Sequence, residues 1–463
     1  MFERSFIVER EGLSSRLGFI LLSAACAIGL GNVWRFPFIT GKYGGAAFVL
    51  IYLAFLVFMG LPAMVAEFSV GRGSQRSAGE SFDLLEPKGT KWHLHKYGAL
   101  AGNVILMMFY TTVTGWILNY LYKMVKGDFV GLTPQQIGGT FGGMLGDPTT
   151  MAVCMILVTL AGFAVCYMGV QKGVEAVIKP MMLCLFALVL LLAIKSCSLD
   201  GAAKGLEYYL VPDFQRLFDA GIGEVIFAAM GQAFFTLSLG IGSLAIFGSY
   251  IGKERSLTGE ALWVIGLDTF IALTSGLIIF PACSAFGVDA GAGPVLLFIT
   301  LPNIFNTMVG GQFWGGLFFL FMFFAAFSTV VAVFETIIAI VSEIWHIERR
   351  KVIHFMCPLL IVLSFPVIFG FNIWSGFEPL GKGTCVLDLE DFIISNNLLP
   401  LGSMVYILFC TSKCGWGWDN FIKEANLGNG LKFPVAVRSY VSYILPIIFL
   451  IIFVQGYFAM FWK

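Results

Sequence analysis

The chain has 463 residues, of which 58% are hydrophobic and only 12% are charged, and its formal net charge at pH 7 is +0. Water-soluble domains of this length do not have such a composition, so the chain is predicted to be an integral membrane protein. We expect membrane lipids around it and no nucleic acid partner, and a homo-oligomer remains open.

Eleven apolar segments are long enough to cross a bilayer of about 30 Å, which predicts an all-α, polytopic membrane protein. A cytoplasmic N-terminus places most of the 28 basic residues on the inner side, as the positive-inside rule requires. The C-terminus is then outside, and the expected location is the cell (inner, cytoplasmic) membrane. No cleavable signal peptide is predicted, because the charged N-terminus leads directly into the first apolar segment.

The first apolar segment contains a weak point at its centre. It reads A-A-C-A-I-G-L-G-N-V-W-R-F-P from Ala24 to Pro37, with Gly29 and Gly31 followed by Asn32. Glycine destabilises a helix interior by about 1 kcal/mol relative to alanine. A broken helix exposes carbonyls and amides at a depth where no water competes for them, so we predict a site for a cation or a zwitterion. The alternative is a simple kink or a helix-packing notch.

The sixth segment repeats this feature. It reads G-Q-A-F-F-T-L-S-L-G-I-G-S-L from Gly231 to Leu244, and Ser238, Gly240 and Gly242 interrupt it. Two interrupted spans five apart are typical of an inverted-repeat transporter with its site at the membrane midplane. Opposed half-helix ends offer partial positive charge to a carboxylate and carbonyl oxygens to a cation. The alternative is a coincidence of two glycine-rich spans.

This pattern predicts a 5+5 inverted-repeat fold with broken spans 1 and 6 and an additional eleventh span. The predicted boundaries are a cytoplasmic tail at 1–15, a first repeat at 16–197, an extracellular loop at 198–222, a second repeat at 223–414, a cytoplasmic loop at 415–436 and the eleventh span at 437–463. We also expect a small re-entrant helix in the outer loop at 287–312.

Several strings resemble the neurotransmitter:sodium symporter family. They are G-L-G-N-V-W-R-F-P in the first segment, G-G-A-A-F at 44–48, G-L-P at 60–62 and Q-A-F-F-T-L-S at 232–238. The resemblance covers most of the chain and is greatest to the bacterial branch, which has the leucine-transporter-like fold and includes tyrosine transporters. It implies sodium-coupled amino acid symport by alternating access, with two sodium ions.

The resemblance also implies two sets of oxygen ligands for sodium. The first set comprises the Ala27 carbonyl, the Asn32 side chain, Thr236 and, in span seven, Asp268. The second set comprises Ala25, Ile28, Ala325, Ser328 and Thr329. Taken alone, Ser328 and Thr329 could simply hydrogen-bond to their own helix, which is the commoner fate of such residues in a membrane.

The implied substrate is a free amino acid with a large apolar or aromatic, tyrosine-like side chain. Tyr110 and the broken first span would hold its carboxylate, and Phe235 would cover the site. The substrate-binding residues that the resemblance implies are Cys26, Ala27, Leu30, Gly31, Leu106, Tyr110, Phe235, Thr236, Ser238, Ile241, Thr329 and Val333.

Two charged pairs resemble the gates of the family. Arg35 and Asp391 correspond to the outer pair, and Arg10 and Glu343 to the inner pair, with Tyr250 beside them. An arginine and a carboxylate that meet in only one conformation can act as a bistable latch.

Asp268 departs from the family pattern, in which a neutral Asn usually ligates sodium at this position. Animal members bind chloride with groups that correspond here to Tyr52, Gln232 and Thr236. A fixed carboxylate at Asp268 can supply the negative charge that chloride supplies elsewhere, so we expect no chloride requirement. The alternative is proton coupling through Asp268 or Glu67.

Two other functional classes were weighed. A membrane enzyme would need histidine pairs, a Cys/His metal set or a nucleophile elbow, and the four His residues show no such spacing, so the chain is not expected to be an enzyme. A substrate sensor on the same scaffold would usually carry a long soluble tail, which this sequence lacks.

Overall fold

The structure is a computed structural model that describes residues 13, 15–288 and 296–462. In this part of the chain nearly all regular structure is helical, and the only β-type pairing is an isolated bridge between Arg255 and Asn429. The expectation of an all-α membrane protein is therefore confirmed.

Nine helices among the described residues are long and apolar enough to cross a membrane as single elements. With spans numbered 1 to 11 in chain order, these nine are span 2 (Ala46–Ser74), span 3 (Trp92–Lys126), span 4 (Pro148–Tyr167), span 5 (Val170–Cys197), span 7 (Leu257–Ala285), span 8 (Gly311–Trp345), span 9 (Arg349–Gly370), span 10 (Val386–Thr411) and span 11 (Val435–Phe461).

The remaining two spans are the broken ones. Span 1 consists of Arg16–Ala27 and Gly31–Lys42, whose axes differ by 55°. Span 6 consists of Ile222–Thr236 and Ser243–Ser249, separated by residues 237–242. Both interruptions lie where the glycine-containing strings predicted them. By length and composition, the nine single helices and the bent span 1 give ten crossings among the described residues; span 6, whose halves are shorter, is the eleventh segment of the prediction.

Shorter helices lie in the segments that connect the spans. They are Ser81–Leu85, Pro134–Gly146, Ala202–Leu210, Phe214–Asp219, Leu301–Thr307 and Trp418–Ala425. The expected small helix in the 287–312 loop is the one at Leu301–Thr307, which follows a π-helical turn at Leu296–Thr300.

Spans 3 and 8 form the centre of the bundle. Their most apolar windows are 72% and 78% buried inside the protein, whereas those of spans 5 and 11 are only 33% and 28% buried. Because lipid tails are as apolar as aliphatic side chains, an exposed apolar helix is stable at the periphery of a membrane protein. The two broken spans pack into this centre, where their unpaired backbone groups find protein partners.

Candidate functional site

The break in span 1 frees several backbone groups from their usual helical partners. The amide of Gly29 donates to the Asn32 side chain (3.0 Å) instead of to the Ala25 carbonyl. The amide of Asn32 donates to the Gly29 carbonyl (3.1 Å), so the Ile28 carbonyl also lacks its helical donor. Two carbonyl oxygens are thereby directed away from the helix ladder.

Thr329 in span 8 meets these freed carbonyls. Its Oγ1 lies 3.0 Å from the Ala25 oxygen, 3.1 Å from the Ile28 oxygen and 3.2 Å from the Ala325 oxygen. Because a hydroxyl has a single hydrogen to donate, at most one of these contacts at a time is a full hydrogen bond. The hydroxyl of Ser328 is 3.1 Å from the same Ala325 oxygen. The structure thus brings together all five residues of the second predicted sodium set, and we call them the Thr329 cluster.

Gly29 makes room for this arrangement. A Cβ at this position would lie 2.4 Å from the Tyr110 hydroxyl oxygen and 2.7 Å from Thr329 Oγ1. The same Tyr110 hydroxyl accepts the amide hydrogen of Leu30 at 3.0 Å. Only glycine at position 29 lets spans 3 and 8 both touch the break.

Three residues of the first predicted sodium set also lie together, and we call them the Asp268 cluster. Thr236 Oγ1 is 3.1 Å from both carboxylate oxygens of Asp268. Asn32 Nδ2 is 2.8 Å from Asp268 Oδ1 and 3.1 Å from Thr236 Oγ1. Asp268 is fully buried, and no ion pair to a basic residue is found for it among the described residues. A buried carboxylate without a cation is expensive, so this cluster is well suited to a bound cation.

The orientation of the Asn32 amide qualifies its predicted role. Its Oδ1 accepts from Gly29, and its nitrogen faces the Asp268 carboxylate. A cation beside Asp268 would attract the amide oxygen and repel the NH₂ group, so Asn32 has to turn its amide to become a ligand. Ala27, the fourth member of this predicted set, lines the cavity described below.

The break in span 6 is held open by a carboxylate of span 2. Glu67 accepts the amide hydrogens of Gly240 (2.9 Å) and Leu244 (3.0 Å) and is buried. Ser238 has a positive φ of 50°, and its hydroxyl donates to the Cys26 carbonyl at 3.1 Å. The two breaks are therefore joined directly by a hydrogen bond.

A cavity lies between the two breaks. Its volume is about 20 Å³, which is room for about one water molecule, so the surrounding side chains have to move apart before an amino acid can enter. It is lined by residues of spans 1, 3, 6, 8 and 10, namely Cys26, Ala27, Gly29, Leu30, Gly31, Leu106, Tyr110, Phe235, Ser238, Ile241, Thr329, Ile394 and Leu399.

Most of the predicted substrate-binding residues line this cavity. Val333 and Thr236 do not, although both are buried nearby in spans 8 and 6. Sequence reasoning missed Ile394 and Leu399 of span 10. The polar interruption I-I-S-N-N-L-L-P at 393–400 was the available signal for a functional element there.

Two of the predicted anion-site equivalents, Tyr52 and Gln232, are buried. The Tyr52 hydroxyl lies beside Thr236, and no hydrogen-bond partner is found for Gln232 Oε1 in the described part of the chain. Gln232 Nε2 donates to the Gly31 carbonyl at 2.9 Å, and Tyr52 lies within electrostatic range of Asp268. Tyr52 therefore lies near the carboxylate that was predicted to replace chloride, and Gln232 lies beside the break in span 1.

The predicted outer gate is connected through a serine. Arg35 Nη1 is 3.5 Å from the Ser395 hydroxyl, which in turn donates to Asp391 Oδ1 at 2.8 Å. The Arg35 guanidinium also lies over the Phe235 ring, 4.3 Å from its centroid. The basic and acidic members of the pair are thus linked by Ser395 rather than in direct contact, and sequence reasoning missed this serine.

The predicted inner gate is described only in part. Arg10 lies outside the described residues. Glu343 accepts from the backbone amide and the hydroxyl of Ser77. Tyr250 donates to Glu335 at 3.4 Å, and Glu335 forms an ion pair with Arg349, a pair that sequence reasoning missed.

Comparison with known proteins identifies relatives along almost the whole chain. The family model described as "Sodium:neurotransmitter symporter family" matches residues 10–130 and 140–461. An uncharacterized sodium-dependent transporter of Bacillus subtilis is 34% identical over 401 residues, covering 86% of this chain and 87% of its own length. An uncharacterized sodium-dependent transporter of Haemophilus influenzae is 29% identical over 463 residues, covering 97% and 99%.

A solved structure has the same fold. The crystal structure of MhsT in complex with L-phenylalanine superposes with a TM-score of 0.86 at 36% identity, covering 96% of this chain and 100% of that one. These matches confirm the predicted fold class. They also support sodium-coupled symport of an amino-acid-type substrate, and they indicate a transporter rather than an enzyme.

Proposed function

The chain belongs to the Sodium:neurotransmitter symporter family, and from that premise we propose that it transports a free amino acid with a large apolar or aromatic side chain. Transport is driven by two sodium ions, proceeds by alternating access and does not require chloride.

The observation that carries the proposal is the Thr329 cluster. Two carbonyls that have lost their helical donors converge with a hydroxyl from a different span, at contacts of 3.0 and 3.1 Å. Hard oxygen ligands suit a small alkali or alkaline-earth cation, and a neutral set of this kind suits a singly charged one. A sodium ion here would tie span 1 to span 8.

The second sodium ion is assigned to the Asp268 cluster. Thr236 and Asp268 provide oxygens within 3.1 Å of one another, and a cation would relieve the isolated buried charge. The Ala27 carbonyl and the turned amide of Asn32 complete the set. In this structure Asn32 donates to Asp268 and accepts from the Gly29 amide, so turning its amide toward the ion would break both contacts and thereby couple the ion to the break that shapes the cavity.

The substrate is assigned to the cavity between the breaks. The Leu30 amide and the Tyr110 hydroxyl are close to each other and are positioned to bind a carboxylate, and backbone carbonyls near Ala27 and the span 6 break would bind the ammonium group. The remaining lining residues are mostly apolar, which favours a large apolar or aromatic side chain. The homologous MhsT was solved with L-phenylalanine, which agrees with this class. Ser238 retains lone pairs that could accept a phenol hydrogen.

Chloride independence is assigned to Asp268. Two sodium ions and a zwitterion in a low-dielectric site need nearby negative charge, and Asp268 provides it. We further propose that the protein lies in the cytoplasmic membrane with its N-terminus inside and its C-terminus outside. The repeats at 16–197 and 223–414 then form the two halves of the inverted pair.

Reconstitution into proteoliposomes tests this proposal. With labelled leucine or phenylalanine outside, an inward sodium gradient should drive uptake, and a proton gradient alone should not. Thr329→Val should abolish sodium-driven uptake because valine keeps the shape but removes the oxygen. Uptake by the parent at zero sodium, or uptake driven by protons alone, would contradict the proposal.

Span 8 offers a matched control for the Thr329 variant. Thr336 is also buried, and the contact found for its hydroxyl is with its own helix, at the Ala332 carbonyl (3.1 Å). Thr336→Val therefore removes a hydroxyl from the same span without touching the break. It should retain sodium-driven uptake close to that of the parent.

A further inference from the structure

Span 10 changes its helical geometry at the level of the cavity. Its α-helix Val386–Ile393 is followed by a π-helical turn, Ile394–Leu398, and then by the α-helix Leu399–Thr411, with Pro400 in its first turn. A π-helical turn accommodates an extra residue and so rotates the faces before and after it relative to each other; such turns are frequent at functional sites. We call this turn the span 10 bulge.

The residues at the two ends of the bulge reach the cavity. Ile394 is 0% exposed and Leu399 is 2% exposed, and both line the space between the breaks. The backbone of Leu399 also supports the break in span 6, because a Cβ at Gly240 would lie 2.5 Å from the Leu399 carbonyl oxygen. The fifth wall of the cavity is thus aliphatic and stands against the unwound segment.

Asn396 and Asn397 within the bulge contact span 11 and fix the rotation of the bulge. The Tyr457 hydroxyl in span 11 donates to Asn397 Oδ1 at 2.7 Å. Gly456 admits the neighbouring Asn396, since a Cβ at this glycine would lie 2.3 Å from Asn396 Nδ2. Because these contacts hold the bulge against span 11, Ile394 cannot easily rotate away from the cavity. Its side chain therefore limits the size of the cavity on this side.

We infer that Ile394 and Leu399 of span 10 form the wall that limits the size of the substrate side chain, and that they are therefore selectivity residues of this transporter. The inference rests on the proposed function, because it takes the cavity as the amino acid site. A hydrophobic pocket discriminates between ligands that differ by one methylene by about tenfold or more. Trimming this wall should therefore favour the largest substrates, and enlarging it should exclude them.

A role in packing alone predicts a different result. If Ile394 only filled space between helices, its truncation would lower the stability of the protein and the uptake of all substrates in parallel. A selectivity residue changes the ratio between substrates. The readout is therefore the ratio of the half-inhibitory concentrations of tryptophan and leucine against sodium-driven uptake of labelled leucine in proteoliposomes.

The experiment compares Ile394→Ala, Ile394→Phe and Leu399→Ala with the parent. Ile393→Ala is the matched control, because Ile393 precedes the bulge, is partly exposed and does not line the cavity. In the two alanine variants, the half-inhibitory concentration of tryptophan should fall by about tenfold relative to that of leucine. Ile394→Phe should raise the half-inhibitory concentration of tryptophan relative to that of leucine by a similar factor. It should still transport small amino acids such as alanine. Ile393→Ala should change the ratio of half-inhibitory concentrations by less than about twofold, well below the effect of about tenfold that is expected from the wall variants.

The outcomes separate this inference from the proposed function. If the parent shows no sodium-driven uptake of any amino acid, the proposed function fails. If uptake is sodium-driven but the ratio is unchanged in Ile394→Ala and Ile394→Phe, the inference is wrong and the wall lies elsewhere. If Ile394→Ala does not fold, Ile394→Phe and Leu399→Ala still decide, because each predicts a ratio change in a stated direction.

Discussion

The two oxygen clusters beside the broken first span differ in charge. The Thr329 cluster is made of neutral carbonyls and hydroxyls, whereas the Asp268 cluster contains a buried carboxylate for which no basic partner is found in the described part of the chain. The neutral cluster can only solvate a cation that enters it. The charged cluster can also balance part of the charge of two cations and a zwitterion. Under the proposed function, the protein carries its own counter-anion in one of two otherwise similar oxygen clusters.

Replacing Asp268 removes the charge that distinguishes the two clusters, and it should have the largest effect on transport. Two unit charges about 4 Å apart interact by about 4 kcal/mol at an effective dielectric constant of about 20. We expect Asp268→Ser to lose almost all sodium-driven uptake in gluconate and to recover as chloride is added. The Tyr52 hydroxyl and the second N–H of the Gln232 amide, whose first N–H donates to the Gly31 carbonyl, are the donors for the anion.

The measurement is initial uptake of labelled leucine at fixed sodium, with chloride replaced stepwise by gluconate. The parent is the control and should give the same rate throughout the series. A chloride-dependent parent would show that Asp268 does not replace the anion. A variant that transports equally well in gluconate would show that its charge is not needed.

Gly29→Ala should damage the neutral cluster. The new Cβ would lie 2.4 Å from the Tyr110 hydroxyl and 2.7 Å from Thr329 Oγ1, so both side chains have to withdraw. Overpacking of this kind typically costs 1–3 kcal/mol, so we expect weaker sodium activation by about 5- to 150-fold. Gly231→Ala is the matched control, since a Cβ at that glycine meets nothing within 4 Å. Equal effects of the two substitutions would argue against the Thr329 cluster as an ion site.

Tyr110→Phe should weaken amino acid binding while leaving both clusters in place. The hydroxyl accepts from the Leu30 amide at 3.0 Å and is proposed to donate to the substrate carboxylate. Loss of a hydrogen bond to a charged group costs about 1.5–3 kcal/mol. Equilibrium binding of labelled leucine to the purified protein, measured by scintillation proximity, should show a corresponding rise in Kd. An unchanged Kd would place the carboxylate away from Tyr110.

Ser395→Ala should have the smallest effect of the four. The serine connects Arg35 (3.5 Å) to Asp391 (2.8 Å) on the outer side of the cavity. Both partners of the serine are charged, but the Arg35 contact is long and both charged residues are partly exposed to water. The loss is therefore taken as about 0.5–1.5 kcal/mol, and the outward dissociation rate of bound leucine should rise about 2- to 12-fold. Thr411→Val, which removes a hydroxyl bonded to its own helix elsewhere in span 10, should leave this rate unchanged. A slower release from Ser395→Ala would show that the serine holds the gate open.

The breaks could be predicted from the sequence because glycine and polar residues such as Gly29 and Asn32 are conspicuous in an apolar span. Thr329 and Asp268 also stand out in their spans, but their assignment to sodium came from the family resemblance. The structure then placed them within hydrogen-bonding distance of the partners that were expected from the family resemblance.

The position of Ile394 and Leu399 in the cavity wall could not be predicted from the sequence in this way. An isoleucine that faces a cavity and one that faces lipid have the same side chain, and the π-helical turn at Ile394–Leu398 changes which residues share a face. Ser395 was missed for a related reason, since the expected ion pair drew attention to its charged neighbours. Pairs such as Glu335 and Arg349 depend on the packing of separate spans, which the sequence pattern does not specify.

The central claim is that the neutral and the charged cluster each bind one sodium ion in the same transport cycle. Simultaneous measurement of radioactive sodium and labelled leucine influx into proteoliposomes, under voltage clamp with potassium and valinomycin, tests it directly. The account predicts two sodium ions per amino acid for the parent, with no change when chloride is replaced by gluconate. A ratio of one, or sodium influx that is independent of leucine, would contradict it.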